Sequence, residues 1–172
     1  MSNAPAETAH SALSPHDALL PLSERRKAFR ALCDQRAALV VPGAGNALTA
    51  RVIEDAGFGA IYVTGAGIAN TLLGVPDIGL VTLSELAATT GAIAEITRQP
   101  LIVDIDTGFG NALNAQRTMR VIERAGAFAV QLEDQVFPKK CGHFEGKAVI
   151  PIEEAVSKLK AVLDAREDPN VM

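Results

Sequence analysis

Four short apolar runs separated by amphipathic stretches constrain this chain more than any other feature of its sequence. Residues 38–41, 60–63, 101–103 and 128–132 are mostly apolar, too short for buried helices, and have Pro or Gly within two residues of one end, so they read as strands. Between them lie helical patterns. Ser23 can cap a helix through Leu32, and a second helix over 49–56 ends on Gly57. Thr82 and Glu85 match a capping box at the head of a helix reaching about Thr97. Further helices are expected over 113–124, closed by Gly126, and over 152–166, with 169–172 approaching a fifth strand. Strands that alternate with helices pair in parallel, because parallel neighbours need a crossover element. An internal echo agrees with this: residues 54–61 and 123–130 each end a helix on Gly and enter a strand. Two α/β architectures fit, an open doubly wound sheet or part of a (β/α)₈ barrel. A whole barrel normally needs about 250 residues; four βα units and the onset of a fifth strand are what about half of one contains.

With 172 residues, 48% hydrophobic and 21% charged, the composition is globular. Six Phe, one Tyr and no Trp leave the core to Ala, Val, Ile and Leu. The net charge of −4 comes without a basic stripe, which argues against nucleic acid as a partner. No apolar stretch is long enough to span a membrane, and the first twenty residues lack the cationic start and apolar core of a signal peptide. Residues 1–21, with His10 and His16, read as a flexible tail, and 22–172 as the folded domain. Cys33 and Cys141 are too few for a disulfide framework, so a cytoplasmic location is expected.

In either architecture ligands sit at the C-terminal ends of the strands. The loops after Val41, Val63, Val103 and Leu132 therefore form the expected active edge. Asp104 and Asp106, two residues apart at a strand end, repel each other unless a cation or water lies between them, and Mg²⁺ suits such oxygen ligands. Glu133 can join the same site, whereas Asp134 reads as a solvated loop residue. Cys141 lies among Lys139, Lys140, Gly142 and His143, and cationic neighbours favour a thiolate. These ligands are too few for structural zinc, and Cys33 reads as a helix-packing residue. The segment 64–67, Thr-Gly-Ala-Gly, offers backbone N–H groups and a hydroxyl to an anionic oxygen. It does not complete a dinucleotide fingerprint, and no phosphate-cradling Gly-Lys-Ser/Thr loop exists. Tyr62, two residues before Thr64, is a candidate acid/base group.

These pieces together resemble the isocitrate lyase/phosphoenolpyruvate mutase superfamily, closest to its methylisocitrate lyase and 2,3-dimethylmalate lyase group. The resemblance runs from about Ser23 to Met172. It is carried by Tyr62-Val63-Thr64-Gly65, Gly74-Val75-Pro76-Asp77, Asp104-Ile105-Asp106-Thr107-Gly108-Phe109-Gly110-Asn111, Leu132-Glu133-Asp134-Gln135 and, most specifically, Pro138-Lys139-Lys140-Cys141-Gly142-His143. It implies a (β/α)₈ barrel of the phosphoenolpyruvate/pyruvate type, of which this chain is expected to be the N-terminal part. It implies Mg²⁺ or Mn²⁺ at Asp104, Asp106 and Glu133, and substrate contacts from Thr64, Gly65, Ala66, Asp77 and Gly142. Lys139, Cys141 and His143 would form a mobile catalytic loop, with Tyr62 as base. Family members often carry Ser-Gly-Gly where Thr64-Gly65-Ala66 stands. The implied reaction cleaves a 2-hydroxy di- or tricarboxylate into a 2-oxo acid and a carboxylate. The alternatives are an oxaloacetate hydrolase, a carboxyphosphonate or phosphoenolpyruvate mutase, or a non-catalytic barrel fragment needing a partner chain. A homo-oligomer is implied, tetrameric in full-length relatives. The family's arginine motif on the fifth strand and its later ligands have no counterpart here, so the chain alone is expected to be poorly active.

Overall fold

The computed structural model describes residues 19–35 and 38–172. The expected tail, with His10 and His16, lies almost wholly outside the described residues. Among these, the order is α1 (Leu22–Cys33), β1 (Gly43–Ala44), α2 (Ala47–Asp55), β2 (Ile61–Val63), α3 (Gly65–Ile68) with a π-helical turn (Ala69–Leu73), α4 (Leu83–Ile96), β3 (Leu101–Asp104), α5 (Ala112–Arg124), β4 (Ala129–Gln131) and α6 (Ile152–Ala165). No described helix is long and apolar enough to cross a membrane.

The strands form one parallel sheet in the order β1-β2-β3-β4. A doubly wound sheet reverses its order at a switch point; here spatial order follows chain order throughout. It continues past β4, where Val130 N donates to Met172 O at 2.9 Å and Met172 N to Phe128 O at 3.1 Å. The last residues thus pair as the onset of a fifth strand, and the winding is that of a barrel. Alternation along the strands gives the sheet two faces. Ile61, Val63, Leu101 and Val103 are buried in the main core with Ile53, Leu86, Ile93 and Ile122 of the helices. Tyr62, Ile102 and Asp104 point the other way, toward the inside of the curve, and their register partners Tyr62↔Ile102 stand side by side.

Two segments depart from the sequence reading. The apolar run 38–41 is not a strand: β1 begins at Gly43, and Val40 is 55% exposed. Pro42 has no N–H to donate and can serve only as an acceptor at the start of an edge strand, which it does for Tyr62 N at 2.9 Å. Leu39 and Val41 are apolar because they pack beside Phe29. The second departure follows Val63, where a loop was expected and a helical segment forms. Thr64 caps it, its hydroxyl accepting from Gly67 N at 3.2 Å, and Gly74 at φ 66° ends it. Glycines at 65 and 67 weaken any helical signal by about 1 kcal/mol each. The capping box of α4 forms as expected between Thr82 and Glu85. Cys33 is exposed at the end of α1 rather than packed.

α1 lies across the N-terminal ends of the strands. Phe29 is fully buried against Ala60 and Phe128, the residues just ahead of β2 and β4, and meets Phe128 edge to face at 6.0 Å. Beside it Arg26 is buried. Its guanidinium donates to Ala127 O, Glu123 O and Asp168 Oδ2 at 2.9–3.2 Å, and lies 3.8 Å from Glu123 Oε1. Glu123 in turn accepts from Glu167 N and Asp168 N. This network fastens α1 to the end of α5 and to the segment that leads into the fifth strand position.

Candidate active site

β3 ends on Asp104, and the chain then turns sharply. Asp106, Gly108, Phe109 and Gly110 all take positive φ, at 46°, 82°, 59° and 144°. Left-handed non-glycine residues cost about 1–3 kcal/mol each and persist only when their surroundings fix them. Three elements do so: Glu133 N, just past β4, donates to Asp106 O at 2.8 Å, Thr118 of α5 to Gly108 O at 3.1 Å, and Lys158 of α6 to Thr107 O at 2.9 Å. The turn brings the two carboxylates together. Asp104 Oδ1 accepts from Asp106 N at 3.1 Å, and its Oδ2 from Gly65 N at 3.4 Å. A side chain at Gly65 would begin 3.3 Å from Asp104 Oδ2 and 3.4 Å from Asp106 Oδ1. Both acids therefore converge on the backbone at the start of α3, and only glycine leaves that space open.

Lys139 reaches the same place from the other side. Its Nζ lies 2.6 Å from Asp106 Oδ1 and 2.6 Å from Asp77 Oδ1, and the side chain is buried. The contact with Asp106 is a close, buried ion pair. Lys139 belongs to a hairpin after β4. Its base is tied by Val136 N to Ala148 O and Ile150 N to Asp134 O, with an antiparallel bridge between Gln135 and Val149. Its tip is stapled by two lysines: Lys140 donates to Glu145 O and Gly146 O, and Lys147 to Gly142 O and Phe144 O. Cys141 sits in this tip, half-buried, its N donating to Asp77 O at 3.1 Å and its Sγ 3.3 Å from His143 Nδ1. Asp77 thus holds both Lys139 and Cys141 to the sheet edge. His143 and Gly142 are exposed. A cavity of about 620 Å³ opens beside Glu133 and Gly142, between the hairpin and α6.

The electrostatics follow from burial among like charges. Burial pushes the Asp106 carboxyl up to about 6, with the Lys139 contact opposing and Asp104 adding to the rise. Burial and then the Asp104 charge also raise Glu133. Burial alone would lower Lys139, but its contacts with Asp106 and Asp77 outweigh that and hold it above the usual lysine range. The raised acid and the raised ammonium pull in opposite senses. At 2.6 Å between the groups, the form the geometry supports is a charged lysine beside an ionised Asp106. Tyr62 lies on the same face, and burial, then Asp104, raise its phenol well above the ordinary value. In this environment Tyr62 is a proton donor; acting as a base requires the surrounding negative charge to be offset.

The comparisons with known proteins bear on what this edge is for. A family profile described as phosphoenolpyruvate phosphomutase matches residues 29–172. The chain belongs to the phosphoenolpyruvate phosphomutase family. It is 49% identical over 144 residues to a 2,3-dimethylmalate lyase of Eubacterium barkeri, covering 84% of this chain and 50% of that protein. It is 50% identical over 148 residues to a 2-methylisocitrate lyase of Aeropyrum pernix, covering 86% and 48%. Among solved structures, a 2,3-dimethylmalate lyase described as a member of the PEP mutase/isocitrate lyase superfamily is similar with a TM-score of 0.81 at 34% identity, over 90% of this chain and 52% of that one. A phosphonopyruvate hydrolase in complex with oxalate and Mg²⁺ is similar with a TM-score of 0.77 at 36% identity, over 86% and 50%. This phosphomutase-family chain spans about half the length of the relatives it matches, so its sheet is the corresponding part of their TIM barrels.

Of the residues singled out from sequence, Asp77, Asp104, Asp106, Lys139 and Cys141 stand together. Glu133 and Tyr62 lie within electrostatic reach of the two aspartates. Thr64 and Gly65 adjoin them, but Thr64 is engaged as a helix cap and Gly65 N–H faces Asp104. Among the described residues, no three of His, Cys, Asp and Glu are grouped so as to hold a metal ion. That does not disqualify Mg²⁺, which keeps several waters and uses one or two carboxylates rather than an all-protein cage. The all-oxygen donor set of Asp104, Asp106 and Glu133 fits a hard cation. Sequence reasoning missed Gln135, whose amide donates to Glu133 Oε2 at 2.8 Å and to Lys140 O at 3.0 Å, joining the acid to the cysteine loop. It also missed Lys158. Gln135 lay inside a quoted motif; Lys158 left no signal, being one lysine of an amphipathic helix.

Proposed function

We propose that this protein is a carbon–carbon lyase acting on a 2-hydroxy di- or tricarboxylate of the dimethylmalate or methylisocitrate kind, giving a 2-oxo acid and a carboxylate. The observation that carries the reading is the Asp77–Lys139–Asp106 bridge. It ties the loop that carries Cys141 to the segments of two buried acids, which supports reading the thiol as a proton donor and the acids as a cation site. A Mg²⁺ or Mn²⁺ held through Asp104 and Asp106, with Glu133 directly or through water, would supply Lewis-acid stabilisation of developing negative charge on oxygen.

The chain's own residues do the rest. Backbone at Thr64, Gly65 and Ala66 lines the place for the substrate's carboxylate and hydroxyl end. Tyr62, facing the same acids, would take the hydroxyl proton as a phenolate, having first released its own proton to solvent once their charge is balanced. As the O–H electrons form the new C=O, the C–C bond breaks and its electron pair remains on the departing carbon. Cys141 gives its proton to that carbon, forming the C–H bond and leaving a thiolate that His143 is placed to re-protonate. Closure of the hairpin tip keeps water from that carbanion. A hydrolase is the second reading, favoured by the similarity to phosphonopyruvate hydrolase; it would use the same edge to activate water.

The cation reading has a direct test in Gly65. A methyl there meets Asp104 Oδ2 and Asp106 Oδ1 closely enough that the acids must give by a few tenths of an ångström. Gly65→Ala is expected to keep the melting temperature within a few degrees and to weaken Mn²⁺ binding at least about tenfold, read by the loss of free Mn²⁺ in electron paramagnetic resonance. Unchanged Mn²⁺ affinity would remove the cation from this edge.

A further inference from the structure

Lys158 is the one buried lysine on α6, 5% exposed, and neither the proposed chemistry nor any sequence motif uses it. Burying an ammonium is costly unless it is paired, yet the contact found for its Nζ is a backbone carbonyl, Thr107 O at 2.9 Å. Thr107 stands between Asp106 and Gly108, in the turn where four of the five residues 106–110 have positive φ. A side-chain hydroxyl from α5 and a backbone amide after β4 fix the two neighbouring carbonyls, those of Gly108 and Asp106. Lys158 fixes the carbonyl between them, and it does so from a helix distant in sequence.

We propose that Lys158 is a positioning residue for the Asp104–Asp106 edge. By holding the Thr107 carbonyl from α6, it keeps the left-handed turn in the conformation that aims the Asp106 carboxylate at Gly65 and Lys139. A cationic donor suits this place because its charge-assisted bond is stronger than a neutral one, and the turn it opposes carries intrinsic strain. The role for cation binding rests on the reading of Asp104 and Asp106 as ligands; the role in holding the turn does not. Partners that orient the ligands of a site typically change metal affinity by about 10–100-fold when removed.

The test compares the unaltered chain with Lys158→Met and Lys158→Arg, using two readouts. Amide hydrogen exchange is followed at Glu133, which donates to Asp106 O, and over 105–110. Mn²⁺ affinity is titrated in parallel. Lys158→Met is expected to raise exchange at Glu133 and the turn at least tenfold, leave β2 and α4 protected, and weaken Mn²⁺ by 10–100-fold. Lys158→Arg, which keeps a cationic donor, is expected to restore most of both. Unchanged exchange at the turn in Lys158→Met overturns the proposal. So does a uniform rise across the whole molecule, which would make Lys158 a general stabiliser. If Lys158→Met does not fold, Lys158→Gln carries the same comparison, and failure of both to fold also overturns it. If the unaltered chain binds no Mn²⁺ while the turn still loosens as described, the positioning role stands and the cation reading fails.

Discussion

Cys141→Ser is expected to lower substrate cleavage by about 10²–10⁴-fold, the usual contribution of a positioned proton donor, while Mn²⁺ binding and thermal stability stay near those of the unaltered protein. The reason is local. Cys141 Sγ touches His143 Nδ1 at 3.3 Å, and its backbone N–H, not its side chain, ties the loop to Asp77. The loop is held by Lys139 and Asp77 and by the staples from Lys140 and Lys147, so a serine leaves its position intact. What changes is acidity: a hydroxyl gives up its proton far less readily than a thiol. If cleavage were to survive the substitution, the carbanion would have to be protonated by another group, and the lyase mechanism drawn here would be wrong. Steady-state rates on dimethylmalate and methylisocitrate, with Mn²⁺ titration as the control, decide it.

Arg26→Met is expected to destabilise the fold by about 3–5 kcal/mol, the usual effect of breaking a buried ion pair from one side. Glu123 would be left buried against an apolar neighbour, the Ala127 carbonyl would lose its Arg26 donor, and the Glu123 carbonyl would keep only the Gly126 amide. Urea unfolding followed by circular dichroism measures this; a change under 1 kcal/mol would show that the network contributes little. The pH dependence adds a signature. Burial alone would raise the Asp168 carboxyl, but the Asn170 amide and the Arg26 guanidinium bring it below the ordinary carboxylate range. A carboxyl lowered by folding contributes stability above its unfolded value, about 3.9, and that contribution is lost as pH falls through the folded value. The unaltered protein should therefore lose stability on acidification below about pH 4, and the Arg26→Met variant should lose less over the same interval.

Much of the fold was legible because its signals were local. The βα alternation, the Thr82–Glu85 box and the glycine after α5 all act within a few residues, and they placed α4, β3, α5 and α6 closely. Where the reading failed, an apolar residue was serving a distant partner. Leu39 and Val41 are apolar because of Phe29 in α1, not because they form a strand. The helix after Val63 was hidden because Gly65 serves close approach to the carboxylates and Gly67 close approach to the Gly45 backbone, rather than helix stability. The choice between an open sheet and a barrel could not come from periodicity at all. It rests on which strands are neighbours, and the Val130–Met172 pairing is a contact of long sequence separation.

The candidate site shows the same division. Asp104 and Asp106 were read as a close pair because they stand two residues apart at a strand end. They meet instead because the chain leaves the strand at Asp106 in a left-handed turn. The residues of the cysteine motif were legible as a cluster, but that Lys139 bridges Asp77 and Asp106 depends on three segments separated by tens of residues. Gln135 and Lys158 act through carbonyl and carboxylate oxygens, and a sequence records no acceptor geometry.

The most direct test is to incubate the protein, at the length its source makes it, with Mg²⁺ and 2,3-dimethylmalate or 2-methylisocitrate, and to follow the products by proton magnetic resonance. The account predicts a 2-oxo acid and a carboxylate in equal amounts, formed with Mg²⁺ and abolished by a chelator. A folded, Mn²⁺-binding protein that leaves both substrates intact, or one that cleaves them equally well without a divalent cation, would contradict it.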